Sequence, residues 1–220
     1  MSTRTETPDL LGIRMAHRMM RRDARRLTEA AERIAAGEAC SPERAAAVTR
    51  WVEMVCDEVH HHHTTEDEAL LPLLTARAGA DVDLAELGDD HRALDPLLDA
   101  VRAGAAALAT ATSPADRRAA AAGLGRAMAR VRDELDEHIE DEERSMFPMI
   151  EKYLTVAEWD AVEKRARDGG MPMSFMLPRA ADVLDRAEFA QLTKGPGVML
   201  KLLLPLVRPG YRRRELLVFG

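Results

Sequence analysis

Aromatic residues make up only 4% of the 220 residues, and runs of β-branched residues are missing. Sheets and barrels draw on both, so a β-rich fold is excluded, and the abundant alanine, leucine, arginine and glutamate point to an all-α protein. Cysteine is nearly absent, with only Cys40 and Cys56. A domain of this size needs no disulfide staple, and the two read as small hydrophobes in a reducing compartment. No basic segment followed by an apolar one opens the sequence, and the longest apolar run, around residues 202–207, is too short to span a bilayer. The expected location is therefore the cytoplasm, with no membrane span. Excess positive charge is also lacking: the net charge of −7 argues against nucleic acid as a partner.

What the chain does have is clear helix punctuation. Thr7-Pro8-Asp9, Ser41-Pro42-Glu43 and Ser113-Pro114-Ala115-Asp116 each set a capping hydroxyl before a proline, with an acid in the first turn. Gly37 and Gly79 mark stops, and Thr110-Ala111-Thr112 ends a third segment. Helices are expected over roughly 8–36, 42–77, 82–109 and 114–151, with links short enough to make neighbours antiparallel. The product is an up-down-up-down four-helix bundle over residues 8–152. Pro96 should bend the third helix, and Pro72 and Pro148 should kink or end theirs. Beyond residue 153 a capping box, Thr155 to Glu158, opens a short helix ending near Gly169 and Gly170. Pro172, Pro178, Pro196, Pro205 and Pro209 then break the pattern, so 153–220 reads as an irregular, short-helical extension. It should cover the bundle or pack on a second copy, a route to a homodimer.

The inward stripes of the four helices carry the chemistry. In the second, Val48, Val52, Val55, Val59, His62, Glu66, Leu70 and Leu73 follow in steps of three and four, so a histidine and a glutamate hold positions that should be apolar. In the fourth, Leu124, Met128, Val131, Leu135, His138, Glu142, Met146 and Met149 repeat the device at the same His-x-x-x-Glu spacing, and Pro72 and Pro148 each lie ten residues after the histidine. The first stripe, Leu10, Ile13, His17, Met20, Ala24, Leu27, Ala31 and Ile34, carries one histidine. The third, Leu84, Leu87, His91, Leu94, Leu98, Val101, Ala105 and Leu108, carries another. His17 to His62 spans 45 residues and His91 to His138 spans 47, which suggests a two-fold internal repeat. At ~1.5 Å rise per residue, His17 and His62 fall at nearly equal heights on facing helices.

Buried polar groups persist when paired, hydrogen-bonded or bound to metal. A single stripe histidine is most simply a satisfied core residue; six polar residues on four stripes at matched heights are a metal site. Imidazole and carboxylate suit iron, manganese or zinc better than magnesium or calcium. Six donors on four helices exceed the four of a closed structural zinc and can hold two metals with the glutamates bridging and positions left open. Two ferrous ions against two carboxylates leave charge for a bridging hydroxide.

These residues resemble a known family. His17, His62-x-x-x-Glu66-Asp67-Glu68-x-Leu70-Leu71-Pro72, Asp90-His91 and His138-Ile139-Glu140-Asp141-Glu142-Glu143-x-x-Met146-Phe147-Pro148 are similar to the hemerythrin-like, or HHE cation-binding, domain. The resemblance covers about residues 8–152. It implies a non-haem centre of two iron ions, bridged by carboxylates and an oxo or hydroxo group, that binds dioxygen, nitric oxide or peroxide. His17 and His62 would serve one iron, His91 and His138 the other, with Glu66 and Glu142 bridging. Oxygen carriers of the family place a further histidine one turn after the third-helix histidine, where this chain has Asp95. Asp95 could ligate directly or hold His91 from behind, and such an open, symmetric centre suits turnover better than reversible oxygen binding.

His60, His61 and His63 leave the stripe and read as solvent-facing or as outer supports, with His63 nearest the site as a support or an extra ligand. Glu58, one turn before His62, is a further candidate ligand beside its plainer reading as an exposed acid. Arg14, Arg18, Arg21, Arg22, Arg25 and Arg26 should pair with acids such as Asp133, Glu134 and Glu137. The favoured function is an oxidoreductase, catalase-like or oxidase-like, acting on peroxide or dioxygen; the alternative is a module that binds or senses oxygen, nitric oxide or iron. A ferritin-like iron oxidase ranks third, since only Glu58 and His61 have its Glu-x-x-His spacing.

Overall fold

In the computed structural model, which describes residues 7–79, 85–169 and 171–220, the four long segments form an antiparallel bundle. Helix α1 is Leu11–Ala35, α2 is Pro42–Thr65, α4 is Ala85–Thr110 and α5 is Pro114–Tyr153. Each long helix has two neighbours: α1 packs on α2 and α5, and α4 packs on the same two from the other side. No strand occurs among the described residues.

The stripes meet at the centre. Met20, Leu27, Val52, Val59, Leu94, Val101, Leu124 and Leu135 are all buried in one apolar cluster. Leu84 and the side chain of Leu87, which extend the third stripe, lie outside the described part. In α4 the Cα of Leu124 would lie 3.1 Å from a Cβ at Gly104, so the bare backbone there lets α4 and α5 approach closely.

The caps follow the sequence with one exception. The Ser41 hydroxyl accepts from the Arg44 amide at 3.1 Å, and Ser113 with Asp116 and Thr155 with Glu158 form reciprocal capping boxes. Helix α1 instead begins at Leu11, three residues later than expected from Thr7, with Asp9 Oδ1 accepting the Leu11 amide at 3.0 Å. Gly37 ends its helix at φ 111°, a conformation that a side chain would strain.

The expected second helix is not continuous. A single π turn, Glu66–Leu70, follows α2, and α3, Leu71–Ala78, completes the segment. The Leu71 amide reaches back five residues to the Glu66 carbonyl. Pro72 sits in the first turn of α3, where its missing amide is tolerated, and the wider turn ends just before it. The extra residue advances the stripe by one. Leu74 is fully buried, while Leu73, the position that regular spacing selects, is only partly so. Helix α5 runs past Pro148 to Tyr153 without ending, and α4 runs through Pro96.

The extension is more regular than its prolines suggest. It contains α6 (Val156–Arg167), α7 (Met173–Val183), α8 (Arg186–Leu192) and a 22-residue α9 (Val198–Phe219) that passes through Pro205 and Pro209. Trp159 and Val162 of α6 close one end of the bundle against Leu10, Leu74, Phe147 and Ile150. Phe175, Tyr211 and Phe219 surround Trp51 of α2 with ring centroids 4.9 to 5.5 Å away. Arg179 of α7, 1% exposed, lies 2.6 Å from both Asp23 of α1 and Glu58 of α2.

The α1 arginines find partners other than those expected. Arg21 and Arg25 face Asp136, Arg18 pairs with Glu188, and Arg22 and Arg26 reach Glu215. Asp133 is taken by Arg132 instead. No helix among the described residues is long and apolar enough to cross a membrane.

Candidate metal centre

Each long helix delivers its polar intruders to one level of the bundle. His17 comes from α1, His62 and His63 from the end of α2, Glu66 from the head of the π turn, His91 from α4, and His138 and Glu142 from α5. His17 Nε2 lies 3.2 Å from His62 Nε2 and 3.5 Å from Glu142 Oε2. His62 Nε2 is 3.3 Å from Glu66 Oε1. On the other side, His91 Nε2 lies 3.7 Å from Glu66 Oε2 and 3.5 Å from Glu142 Oε1, and His138 Nε2 lies 3.2 Å from Glu142 Oε1. Each glutamate thus turns one oxygen to each histidine set.

Two groups of donors result: His17, His62, Glu66 and Glu142, and His63, His91 and His138, with the donor atoms of each group within 4.8 Å of one another. His63, an off-stripe candidate in the sequence, stands with the donors. It is buried, its ring stacks on His91 at 4.4 Å and 8°, and its Nε2 makes no hydrogen bond. Val59 lies four residues before it, so His63 shares the broad inward face with His62, three residues from Val59; a stripe drawn one residue wide omits it.

Two carboxylates stand behind the lone histidines. Glu143 Oε1 is 3.0 Å from His17 Nδ1, and Asp67 Oδ1 is 2.8 Å from His91 Nδ1. Each follows a stripe glutamate in sequence, and the repeated Glu-acid pair was the available signal. An Nδ1–H donated to a carboxylate leaves Nε2 as the free donor to a metal.

Asp95 and Glu58 are not in the cluster. Asp95 is 60% exposed and 3.5 Å from His60, because the α4 stripe passes from His91 to Leu94 and leaves the fourth position outside. Asp67 occupies the place behind His91 that the sequence suggested for Asp95. Glu58 is neither a donor to the cluster nor a simple exposed acid, since Arg179 holds it. His61 Nε2 meets the Ala166 carbonyl at 2.9 Å, away from the donors.

The electrostatics suit a bound cation. Burial and the neighbouring imidazole of His17 push His62 down to about 3, and burial with its histidine neighbours holds His63 well below the ordinary value. Burial and the facing Glu142 carboxylate drive Glu66 upward toward the neutral acid. Burial also opposes ionisation of Glu142, but His138 and His91 outweigh it and keep the carboxylate charged. Both oxygens of Glu66 and of Glu142, with Nε2 of His91, are buried without a hydrogen bond. Such atoms are costly unless a cation lies among them, and these donor types suit iron, manganese or zinc.

A bundle with buried imidazole and carboxylate donors from four helices is a helical metal-binding protein. The family model for the hemerythrin HHE cation binding domain matches residues 12–150, and the chain belongs to that family. No curated protein and no solved structure matches it significantly.

Proposed function

We propose that the protein holds two iron ions in this cluster and uses them in redox chemistry on small oxidants, hydrogen peroxide and dioxygen foremost, with nitric oxide as a further ligand. The observation that carries this reading is the division of each glutamate between the two histidine sets, at 3.2 to 3.7 Å. His17 and His62 with Glu66 Oε1 and Glu142 Oε2 would hold one ion. His63, His91 and His138 with the opposite oxygens would hold the other. A pair of iron ions supplies a two-electron couple with coordination positions open to a small ligand.

The chain's residues decide where such a ligand enters. The His63 side offers three imidazoles and the His62 side two, so an ion held beside His62 would have fewer protein donors and more room for a small ligand. That is also the side nearest solvent, with 13% of the His62 side chain exposed and the other ligating histidines at 5% or less. Glu143 and Asp67 fix the rings of His17 and His91. Phe147 stacks on His17 at 5.7 Å, and Leu70, Ile139 and Met146, within one helical turn of Glu66, His138 and Glu142 in sequence, are buried. The free thiols Cys40 and Cys56 fit a reducing, cytoplasmic setting.

The test is elemental analysis, followed by oxygen measurement as peroxide is added to the iron-loaded protein. About two irons per chain and evolution of dioxygen from peroxide are expected. One zinc or no metal overturns the assignment. Two irons with a stable, reversible oxygen adduct and no turnover would make the protein a carrier or sensor.

A further inference from the structure

Helix α9 has two unlike faces. Tyr211 and Val218 pack inward with the bundle core. On the opposite face Val198, Met199, Leu202, Leu206 and Leu216 are 51%, 63%, 63%, 76% and 66% exposed. At helical spacing these five fall within an arc of roughly 100°, an apolar stripe that no described residue covers. Isolated exposed leucines need no explanation, but a stripe of this kind marks an interaction surface.

Charge identifies what it meets. Although the chain carries a net −7, no acid occurs between Glu188 and Glu215, and that interval contains Lys194, Lys201, Arg208, Arg212, Arg213 and Arg214. Asp182 and Glu215 engage Arg208 and Arg212. Lys194, Lys201, Arg213 and Arg214 remain exposed, and Arg213 lies on the apolar arc itself. A second copy docked face to face would bring the same cations to this face and no acid between 189 and 214 to meet them, so that pairing is opposed by like charge. A surface both apolar and anionic fits. We propose that α9 docks the protein on a membrane containing anionic lipid, lying in the headgroup region with Leu202 and Leu206 inserted and the lysines and arginines on the phosphates. The helix lies on the membrane and does not cross it, consistent with the three exposed cations it carries, Lys201, Arg213 and Arg214, and its two prolines. This inference is independent of the metal centre.

The test is flotation of the full-length, metal-loaded protein with vesicles of phosphatidylcholine and phosphatidylglycerol, and with phosphatidylcholine alone. Binding to the anionic vesicles is expected, weaker by about tenfold or more on the neutral ones and weakened by salt. The L202E/L206E variant should lose at least about tenfold in binding while keeping wild-type helicity and metal content, since both residues are exposed. Absence of binding to anionic vesicles overturns the proposal, as does equal flotation of wild type and variant. Sedimentation equilibrium showing a dimer that the same variant dissociates would assign the face to a second copy and overturn it as well.

Discussion

Residues 62–72 and 138–148 share a pattern of histidine, glutamate, acid and proline, yet one passes through a π turn at Glu66 while the other lies within a 40-residue α-helix. Aligning the two copies sets His62 against His138, Glu66 against Glu142 and Asp67 against Glu143. It also sets His63 against Ile139. Ile139 is fully buried, so this position points inward in both copies, and in one of them it carries an imidazole. An internal repeat can thus build a near-symmetric pair of glutamates shared between two histidine sets, while a single non-matching residue makes the two sides unequal.

Removing a bridge should break the comparison altogether. Glu66→Ala or Glu142→Ala is expected to cut metal loading from about two ions per chain to one or none, read by elemental analysis; two retained ions in both variants would show that neither glutamate bridges. His63→Ile makes the first copy like the second. It should hasten loss of one ion to a chelator by about tenfold or more, with helicity unchanged, and an unaltered loss rate would remove His63 from the donor set.

Subtler changes sharpen the match between Asp67 and Glu143. Asp67→Asn and Glu143→Gln should each weaken metal affinity by about 10- to 100-fold in competitive titration, and by similar factors if the repeat is functional at this level. The smallest effects concern the prolines. Pro148→Ala restores an amide inside a continuous helix and should stabilise the protein by about 1–2 kcal/mol. Pro72→Ala, in a first helical turn, should stay within about 0.5 kcal/mol. Denaturant unfolding of the two variants checks the contrast, and equal effects would mean that the π turn does not relieve Pro72.

The stripe residues were legible because period and burial agree: every described member of the α1 stripe from Leu10 to Ile34 is buried. His17, His62, Glu66, His91, His138 and Glu142 stood out as polar residues where the period demands apolar ones, and the structure brings all six together. His63 was legible only as a support or extra ligand beside the site, because a stripe of single residues ignores the neighbouring inward positions. Leu74 escaped because a π turn shifts register without a local sequence mark other than Pro72. Asp67 and Glu143 escaped because their partners lie on other helices, 24 and 126 residues away. The same distance in sequence hid Arg179, whose two acids look like ordinary surface residues until α7 is placed.

Arg179 also bears on the order in which the molecule is made. Asp23 and Glu58 lie on helices synthesised before α7, and the guanidinium they share lies 121 residues beyond Glu58. At ~5–20 residues per second this is a delay of roughly 6–24 s. Until then two carboxylates that end up in the interior have no counter-charge, and burying an unpaired charge of this kind costs about 3–5 kcal/mol. Carboxylates left hydrated until then should keep α1 and α2 from their final packing around Asp23 and Glu58 before the extension is synthesised.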